Sequence, residues 1–401
     1  MNRRDMLKTT AAATLALGAP HRLWGSDVPD DLRITRIRGF ELESERPKLV
    51  GKNSFRDVHG RFARDPVALI ETNAGIEGFG HCRAGENELR PLLGKDPLEF
   101  YRKDAKRMAG PLGAATMPLW DLAGKALKQP VWKLLGGKGQ ERVGVYDGSI
   151  YFADLLPGHE QDWRDQFRRE IDMGREKGHT VFKVKIGRGK KWMPRDAGDR
   201  RDAEVVALIW KHGGGEIEIG VDANNGYDLA GAKEFLKRVA DVPLAFVEEM
   251  FPEQIEQYLE YQAFIDSQGR KTYLADGEGA RTLDHLRPFI EAKAIDVLQA
   301  DMNRFGIEGI LEEAALAQPQ GLLVAPHNWG SLLGFHQQVQ VGRAIPNFYR
   351  AEQDPAESEI VIAEGYRIET GAVTVPDTPG FGLELNEEKL GEAKRRFDLK
   401  A

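Results

Sequence analysis

A chain of 401 residues with a formal net charge of −7 has room for two domains or one decorated barrel, and its acidic balance argues against a nucleic-acid partner. Hydrophobic residues at 41% and charged residues at 30% suit a globular protein, and no run of 18 apolar residues offers a membrane span. Cys82 is the only cysteine, which excludes an intramolecular disulfide.

The N-terminus reads differently from the rest. Arg3-Arg4 is followed by Leu7-Lys8 and an Ala/Thr/Leu run from Thr9 to Ala19. A basic start, a mildly apolar run and small residues in that order predict a twin-arginine-type export signal over 1–26, cut between Gly18 and Ser26, and so a periplasmic location.

From Ile34 to about Thr72, alternating segments such as Ile34-Thr35-Arg36-Ile37 and Val67-Ala68-Leu69-Ile70 predict strands. Gly75-Ile76-Glu77-Gly78-Phe79-Gly80 predicts a turn and a returning strand. Pro97 to Leu135 reads as largely helical, with Leu119, Leu122, Ala123 and Ala126 in helical spacing and Gly136-Gly137 at the end. Strands followed by helices over 27–140 predict a small α+β domain.

From Val143 the pattern alternates strand and helix through 141–365. Seven apolar runs end in a residue that can ionise: Lys185 (with Lys183), Asp222, Glu248, Glu278, Asp301, His327 and Glu352, at spacings of 23 to 37 residues. A strand, a loop and a crossover helix need about that length. Near-continuous apolar strands such as Leu322-Leu323-Val324-Ala325 imply a parallel sheet buried on both faces. The predicted fold class is α/β, a (β/α) barrel with a reactive rim at the carboxyl ends of its strands. Over 366–401 the chain returns to short strand-like and turn segments.

The rim residues suggest chemistry. Side chains alternate along a strand, so Lys183 and Lys185 share a face while Phe182, Val184 and Ile186 pack on the other. Asp222, Glu248 and Glu278 close successive strands; three converging acids repel unless a cation joins them, and hard oxygen ligands suit Mg²⁺. Glu248 and Glu249 face opposite ways, so one of the two enters the barrel. Asp301 and His327 are one βα unit apart, and a carboxylate beside an imidazole makes a general base or acid. Glu352, if held protonated, would bond a substrate oxygen. Gly187-Arg188-Gly189-Lys190 and Gly277-Glu278-Gly279 do not complete a phosphate-binding pattern.

On these residues the chain resembles the enolase superfamily, in its mandelate racemase-like subgroup. Lys183-Val184-Lys185 is similar to the family's Lys-x-Lys, and Asp222, Glu248 and Glu278 to its three magnesium ligands. Asp301 and His327, within Ala325-Pro326-His327-Asn328-Trp329-Gly330, resemble the subgroup's dyad, and Glu352 the acid after the eighth strand. Leu119-Trp120-Asp121-Leu122-Ala123-Gly124-Lys125, Leu134-Leu135-Gly136-Gly137 and Trp192-Met193-Pro194 are similar as well. The resemblance spans the chain after the signal. It departs in the two residues inserted before Pro252, in the absence of paired glycines after Asp301, and in Asp301 itself, where the muconate cycloisomerases place a lysine.

The resemblance implies a (β/α)7β barrel capped by an α+β domain built from both chain ends. It implies one Mg²⁺ per subunit and a homo-oligomer. The shared step is removal of the proton α to a carboxylate, with the metal stabilising the enediolate. Lys185 would be one base, made less basic by Lys183, and His327 the base or acid on the other face. The expected reaction is dehydration of a sugar acid to a 2-keto-3-deoxy acid. The alternatives are a racemase or epimerase of a 2-hydroxy acid, and an exported binding protein without turnover. Asn224, Arg56, His59, Arg61 and Tyr151 are the expected substrate contacts.

Overall fold

The computed structural model describes residues 28–159 and 161–401, so the export signal expected over 1–26 lies outside the described residues. Strand β1 (Ile34–Val50) buries Leu42, Ser44, Arg46, Lys48 and Val50 and exposes the residues between them. It pairs antiparallel with β2 (Gly60–Thr72), and β2 with β3 (Glu77–His81). The strand Lys394–Lys400 covers the other edge of β1, so both ends of the described chain share one sheet. Helix α1 (Met117–Ala126) lies against β3 so closely that a Cβ on Gly78 would sit 2.5 Å from the Leu122 backbone nitrogen. Asp121, buried in α1, accepts the amides of Phe79 (3.0 Å) and Phe381 (2.9 Å) and so ties the two chain ends together.

The largely helical reading of Pro97 to Leu135 is corrected. Pro97–Phe100 is a 3₁₀ turn, Tyr101–Arg102 pairs with Arg107–Met108, and only Met117–Ala126 and Val131–Leu134 are α-helical. Gly110 and Gly113 take positive φ around Pro111, a backbone that no helix accommodates.

The barrel follows. Its strands are β4 (Arg142–Ile150), β5 (Val181–Lys185), β6 (Glu218–Asp222), β7 (Leu244–Glu248), β8 (Tyr273–Asp276), β9 (Val297–Leu298), β10 (Leu323–Val324) and β11 (Ala351–Gln353). All neighbouring pairs are parallel. A bridge from Val324 to Phe348 joins β10 to the chain entering β11, which pairs with β4 and closes the ring. The crossover helices are α2 (Trp163–Glu176), α3 (Arg195–Gly213), α4 (Leu229–Arg238), α5 (Ile255–Ser267), α6 (Leu283–Ala292), α7 (Met302–Ala317) and α8 (Leu332–Gly342). Eight strands joined by these helices make the (β/α)7β arrangement. No helix among the described residues is long and apolar enough to cross a membrane.

Strand alternation divides the barrel. Phe182, Val184 and Ile186 join the large core beneath the helices. Inside, Tyr146, Val181, Phe246, Ala275, Val297 and Ala325 form a smaller apolar plug. Gly220 is required there, because any Cβ would meet the Phe246 ring at 2.1 Å. Above the plug the inward positions turn charged, which a barrel interior tolerates only if opposite charges pair.

Among the buried acids outside that layer, Glu313 is poorly satisfied. Glu313 of α7 accepts the Ala300 amide at 3.3 Å through one oxygen, and the other has no partner among the described residues. Burial pushes its carboxyl up to about 8. A raised acid holds its proton in the fold while the unfolded chain has lost it, so stability falls as pH rises from about 4.5 through 8. Glu313→Gln is therefore expected to raise the melting temperature at pH 8 more than at pH 5. The penalty removed is on the order of a few kcal/mol, at about 1.4 kcal/mol per pKa unit. Equal gains at both pH values in thermal denaturation would contradict this.

Candidate active site

The rim assembles at the carboxyl ends of the strands. Lys183 and Lys185 are successive inward residues of β5 and are both buried. Lys183 Nζ lies 2.8 Å from Glu248 and 2.6 Å from Glu352, with Asp222 at 3.4 Å. Lys185 Nζ pairs with Asp222 and donates to Asn224 Oδ1 at 3.0 Å. Glu248 takes a second bond, from Gln299 Nε2 at 2.7 Å. Glu278 lies two residues beyond β8, and His327 three beyond β10.

Glu248, Glu278 and His327 each offer one ligand atom, and these atoms lie within 4.8 Å of one another. His327 Nδ1 stands 3.0 Å from Glu278 and 2.9 Å from Glu352. The His327–Glu278 approach is an ion pair without hydrogen-bond alignment, since both atoms are buried and unbonded by geometry. Burial and then Asp222 push Glu248 up to about 8, against the pull of Lys183. Crowded carboxylates with buried, unsatisfied oxygen fit a divalent cation. Asp222 is not one of the three groups within 4.8 Å: it pairs with Lys185 and lies 3.4 Å from Lys183.

The electrostatics depart from two expectations. Burial opposes the charge on Lys185, but Asp222 and then Tyr151 outweigh it, so its pKa stands above the ordinary value rather than below. Lys183 does pull it down, yet it is outvoted. Glu352 is not a protonated acid: burial opposes its charge, but Lys183 and then His327 hold it well below the carboxylate range. His327 is raised well above its ordinary value, because Glu278 and Glu352 outweigh burial.

Asp301 does not reach the imidazole as expected. The backbones meet, Met302 N donating to His327 O at 2.9 Å, but the Asp301 carboxylate caps α7 through Arg304 N (2.8 Å). A side chain at a helix start has the unpaired amides within reach, and they take it first. Glu278 and Glu352 stand beside His327 instead.

The expected substrate contacts also separate. His59 and Tyr151 come to the rim, with the Tyr151 ring 5.1 Å from Lys185 Nζ. Asn224 is spent within the protein: it accepts from Lys185 and donates to Glu249 at 2.8 Å. Positive φ at Asn224, Asn225 and Glu249 turns the chain and brings Glu249 back to the site beside Glu248. Arg56 is exposed, and Arg61 faces a surface groove shared with Glu45, Lys177 and Glu357 rather than the rim. Arg56 lies in the turn between β1 and β2 and Arg61 on an outward position of β2, and both face solvent. Gln299 is a site residue that sequence reading passed over, although its inward alternation with Val297 was a usable signal.

The family model described as Enolase C-terminal domain-like matches residues 166–389, more than half of the chain. The chain belongs to the enolase superfamily. Its relatives include the D-galactarolactone cycloisomerase of Agrobacterium fabrum, 26% identical over 90% of this chain and 98% of the relative. The D-galactonate dehydratase of Verminephrobacter eiseniae is 28% identical over 81% of this chain and 90% of its own. Among solved structures, a galacturonate dehydratase from Geobacillus sp. complexed with D-galacturonate and 5-keto-4-deoxy-D-galacturonate is 30% identical, with a TM-score of 0.83 over 92% of this chain and 100% of that one. A mutant of that enzyme complexed with Mg aligns at a TM-score of 0.85, again 30% identical, over 92% of this chain and 96% of its own. The expected enolase-superfamily architecture, a barrel with an α+β cap, is therefore the observed one.

Proposed function

We propose that this enolase-superfamily protein is a Mg²⁺-dependent hydro-lyase that dehydrates a sugar acid to a 2-keto-3-deoxy acid. The observation that carries the reading is one barrel rim holding Lys185 and His327 on either side of Asp222, Glu248 and Glu278. The dehydratase names of the relatives support the substrate class. Mg²⁺ bound by Asp222, Glu248 and Glu278 would supply charge stabilisation for the enediolate.

The chain's own groups divide the proton work. Lys185 takes the proton from the carbon next to the carboxylate. With Asp222 committed to a cation, burial and Lys183 both favour the neutral amine that a base must be. With Glu278 likewise committed to the cation, Glu352 is the acid that keeps His327 as imidazolium, and His327 gives a proton to the departing β-hydroxyl, which leaves as water. The enol product then tautomerises to the 2-keto acid. The basic start with paired arginines supports export to the periplasm.

A second reading rests on the same two bases: used in turn on opposite faces, they would racemise or epimerise a 2-hydroxy acid. Incubating the protein with Mg²⁺ and a panel of aldonates, aldarates and uronates in D₂O separates the readings. A 2-keto product is expected. Deuterium exchange with inversion and no keto product would replace dehydration by epimerisation, and binding without either would leave a binding protein.

Gln299 gives a test of the metal reading. Its amide holds one Glu248 oxygen, as a supporting residue holds a metal ligand. Gln299→Leu is expected to weaken Mg²⁺ binding by roughly 10- to 100-fold, measured by calorimetric titration. An unchanged Kd would remove Glu248 from the ligand set.

A further inference from the structure

His59 enters the site from the cap, at the end of the loop between β1 and β2, where its backbone amide is held by the carbonyls of Val50 (3.1 Å) and Gly51 (3.2 Å). Its ring is fixed on one edge. Trp329, two residues past His327, donates its indole N–H to His59 Nδ1 at 3.0 Å. An indole nitrogen only donates, so Nδ1 must be the bare, accepting nitrogen. The imidazole is neutral: burial, then the charges of Lys185, Arg46 and Arg56, push its pKa down to about 3. A neutral ring with a bare Nδ1 carries its proton on Nε2.

That N–H has nothing to donate to. Nε2 is shut off from solvent, and no described residue accepts from it. Its surroundings belong to the base side of the rim. The His59 ring meets Tyr151 edge-on at 4.6 Å, and Tyr151 lies 4.7 Å from Trp329 and 5.1 Å from Lys185 Nζ. Trp329 is itself braced by the Arg46 guanidinium at 4.8 Å, and Arg46 forks onto Asp354. The structure thus holds one donor, in one tautomer, in a rigid aromatic wall beside the base. A buried donor left unpaired is costly, so an arrangement that fixes one has a use for its acceptor.

We propose that His59 is a specificity-determining residue that donates from Nε2 to a hydroxyl oxygen of the bound sugar acid. This rests on the sugar-acid reading above. Because the donor is neutral, it selects for the presence of an oxygen rather than for charge. A site built to bond a hydroxyl rejects the analogue lacking it far more strongly than an apolar pocket rejects an extra group. Trp329 acts through His59, as a positioning residue that sets the tautomer.

Two measurements test this. The first uses the Mg²⁺-loaded protein with ¹⁵N-labelled histidine, its His59 signals assigned by their loss in His59→Gln. A long-range ¹H–¹⁵N correlation at neutral pH is expected to show Nε2 protonated and Nδ1 bare. Adding D-galactonate or D-galacturonate is expected to shift Nε2 and not Nδ1. A proton on Nδ1, or an Nε2 that neither acid shifts, would overturn the proposal. Trp329→Phe is expected to mix the two tautomers.

The second is kinetic, with the acid from the panel that turns over and its monodeoxy analogues. His59→Phe keeps the ring and removes the donor, and is expected to lower kcat/KM about 10- to 100-fold on the full substrate. On one deoxy analogue, wild type and variant are expected to match. His59→Gln, which restores an N–H, is expected to recover part of the loss. An equal loss on every analogue would make His59 merely structural and defeat the proposal. If no acid is turned over by the wild type, the hydro-lyase reading fails, while the tautomer and shift measurements still decide whether His59 is the donor.

Discussion

Lys185→Met is expected to lower kcat by roughly 10²- to 10⁴-fold, the range that a positioned acid or base contributes. The methionine stem matches the lysine in length and shape, so the wall of β5 keeps its packing while the amine is lost. Asp222 loses its closest cation but retains Lys183 at 3.4 Å and the Asn224 amide at 2.8 Å. The fold is therefore expected to survive, as a melting curve would show. Lys185→Arg is not a rescue: a guanidinium stays charged and cannot act as a base at neutral pH. The paired variant His327→Asn sharpens the result. A dehydratase that uses Lys185 as base and His327 as acid loses keto product in both variants. In D₂O, His327→Asn still exchanges the α-proton through Lys185, while Lys185→Met does not. An epimerase would instead lose inversion in both variants and keep exchange for a different substrate enantiomer in each. Full turnover by Lys185→Met would remove the amine from the chemistry altogether.

The difference between what the sequence disclosed and what it hid is physical. Strand ends were legible because a barrel strand must be apolar on both faces until it reaches the rim. The change from Val184 to Lys185, or from Val221 to Asp222, thus marks an end. Cap strands were legible only in pieces, since the alternation of β1 runs through Arg46 and Lys48, which are buried by Asp354 and Glu170 far along the chain. No local pattern shows such partners. The acids were legible as a set but not in their pairings. Asp301 had two plausible uses, and the amides opening α7 were nearer than His327. Asn224 and Glu249 were hidden by backbone: alternation sends Glu249 away from Glu248, and only a positive φ returns it. The pull of Lys183 on Lys185 was legible because the two share a strand, but the stronger, opposite influence of Asp222 was not, because it comes from the neighbouring strand.

Arg188→Met is expected to destabilise the fold by about 3–5 kcal/mol, the cost of breaking a buried ion pair from one side. Arg188 follows β5 by three residues, and its guanidinium is fully buried. One edge pairs with Asp154 at 2.7 Å and the other with Asp202 at 2.6 Å, while the flat face lies 4.2 Å over the Phe152 ring. Asp202 also gathers the amide of Gly187 (2.8 Å) and the hydroxyl of Tyr227 (2.7 Å). One side chain thus locks the turn after the base strand to the loop after β4 and to α3. A lysine in its place is a single point charge without the planar fork that pairs Nε and Nη2 with Asp154 and Nη1 with Asp202, so Arg188→Lys is expected to recover only part of the loss. Chemical denaturation measures both. The pH dependence gives a second, independent mark. Burial opposes the charge on Asp154, but Arg188 outweighs it and holds the pKa below the ordinary 3.8. A depressed acid stabilises the fold above its unfolded pKa, and this is lost as pH falls through the folded value. The wild type is therefore expected to lose stability below about pH 4 more steeply than Arg188→Met. Lys185 stands three residues away, and its carbonyl is 3.5 Å from the Arg188 guanidinium, so kcat is expected to fall in Arg188→Met even where the protein remains folded. A variant with unchanged denaturation midpoint and unchanged acid limb would show that the lock contributes nothing to holding the base strand.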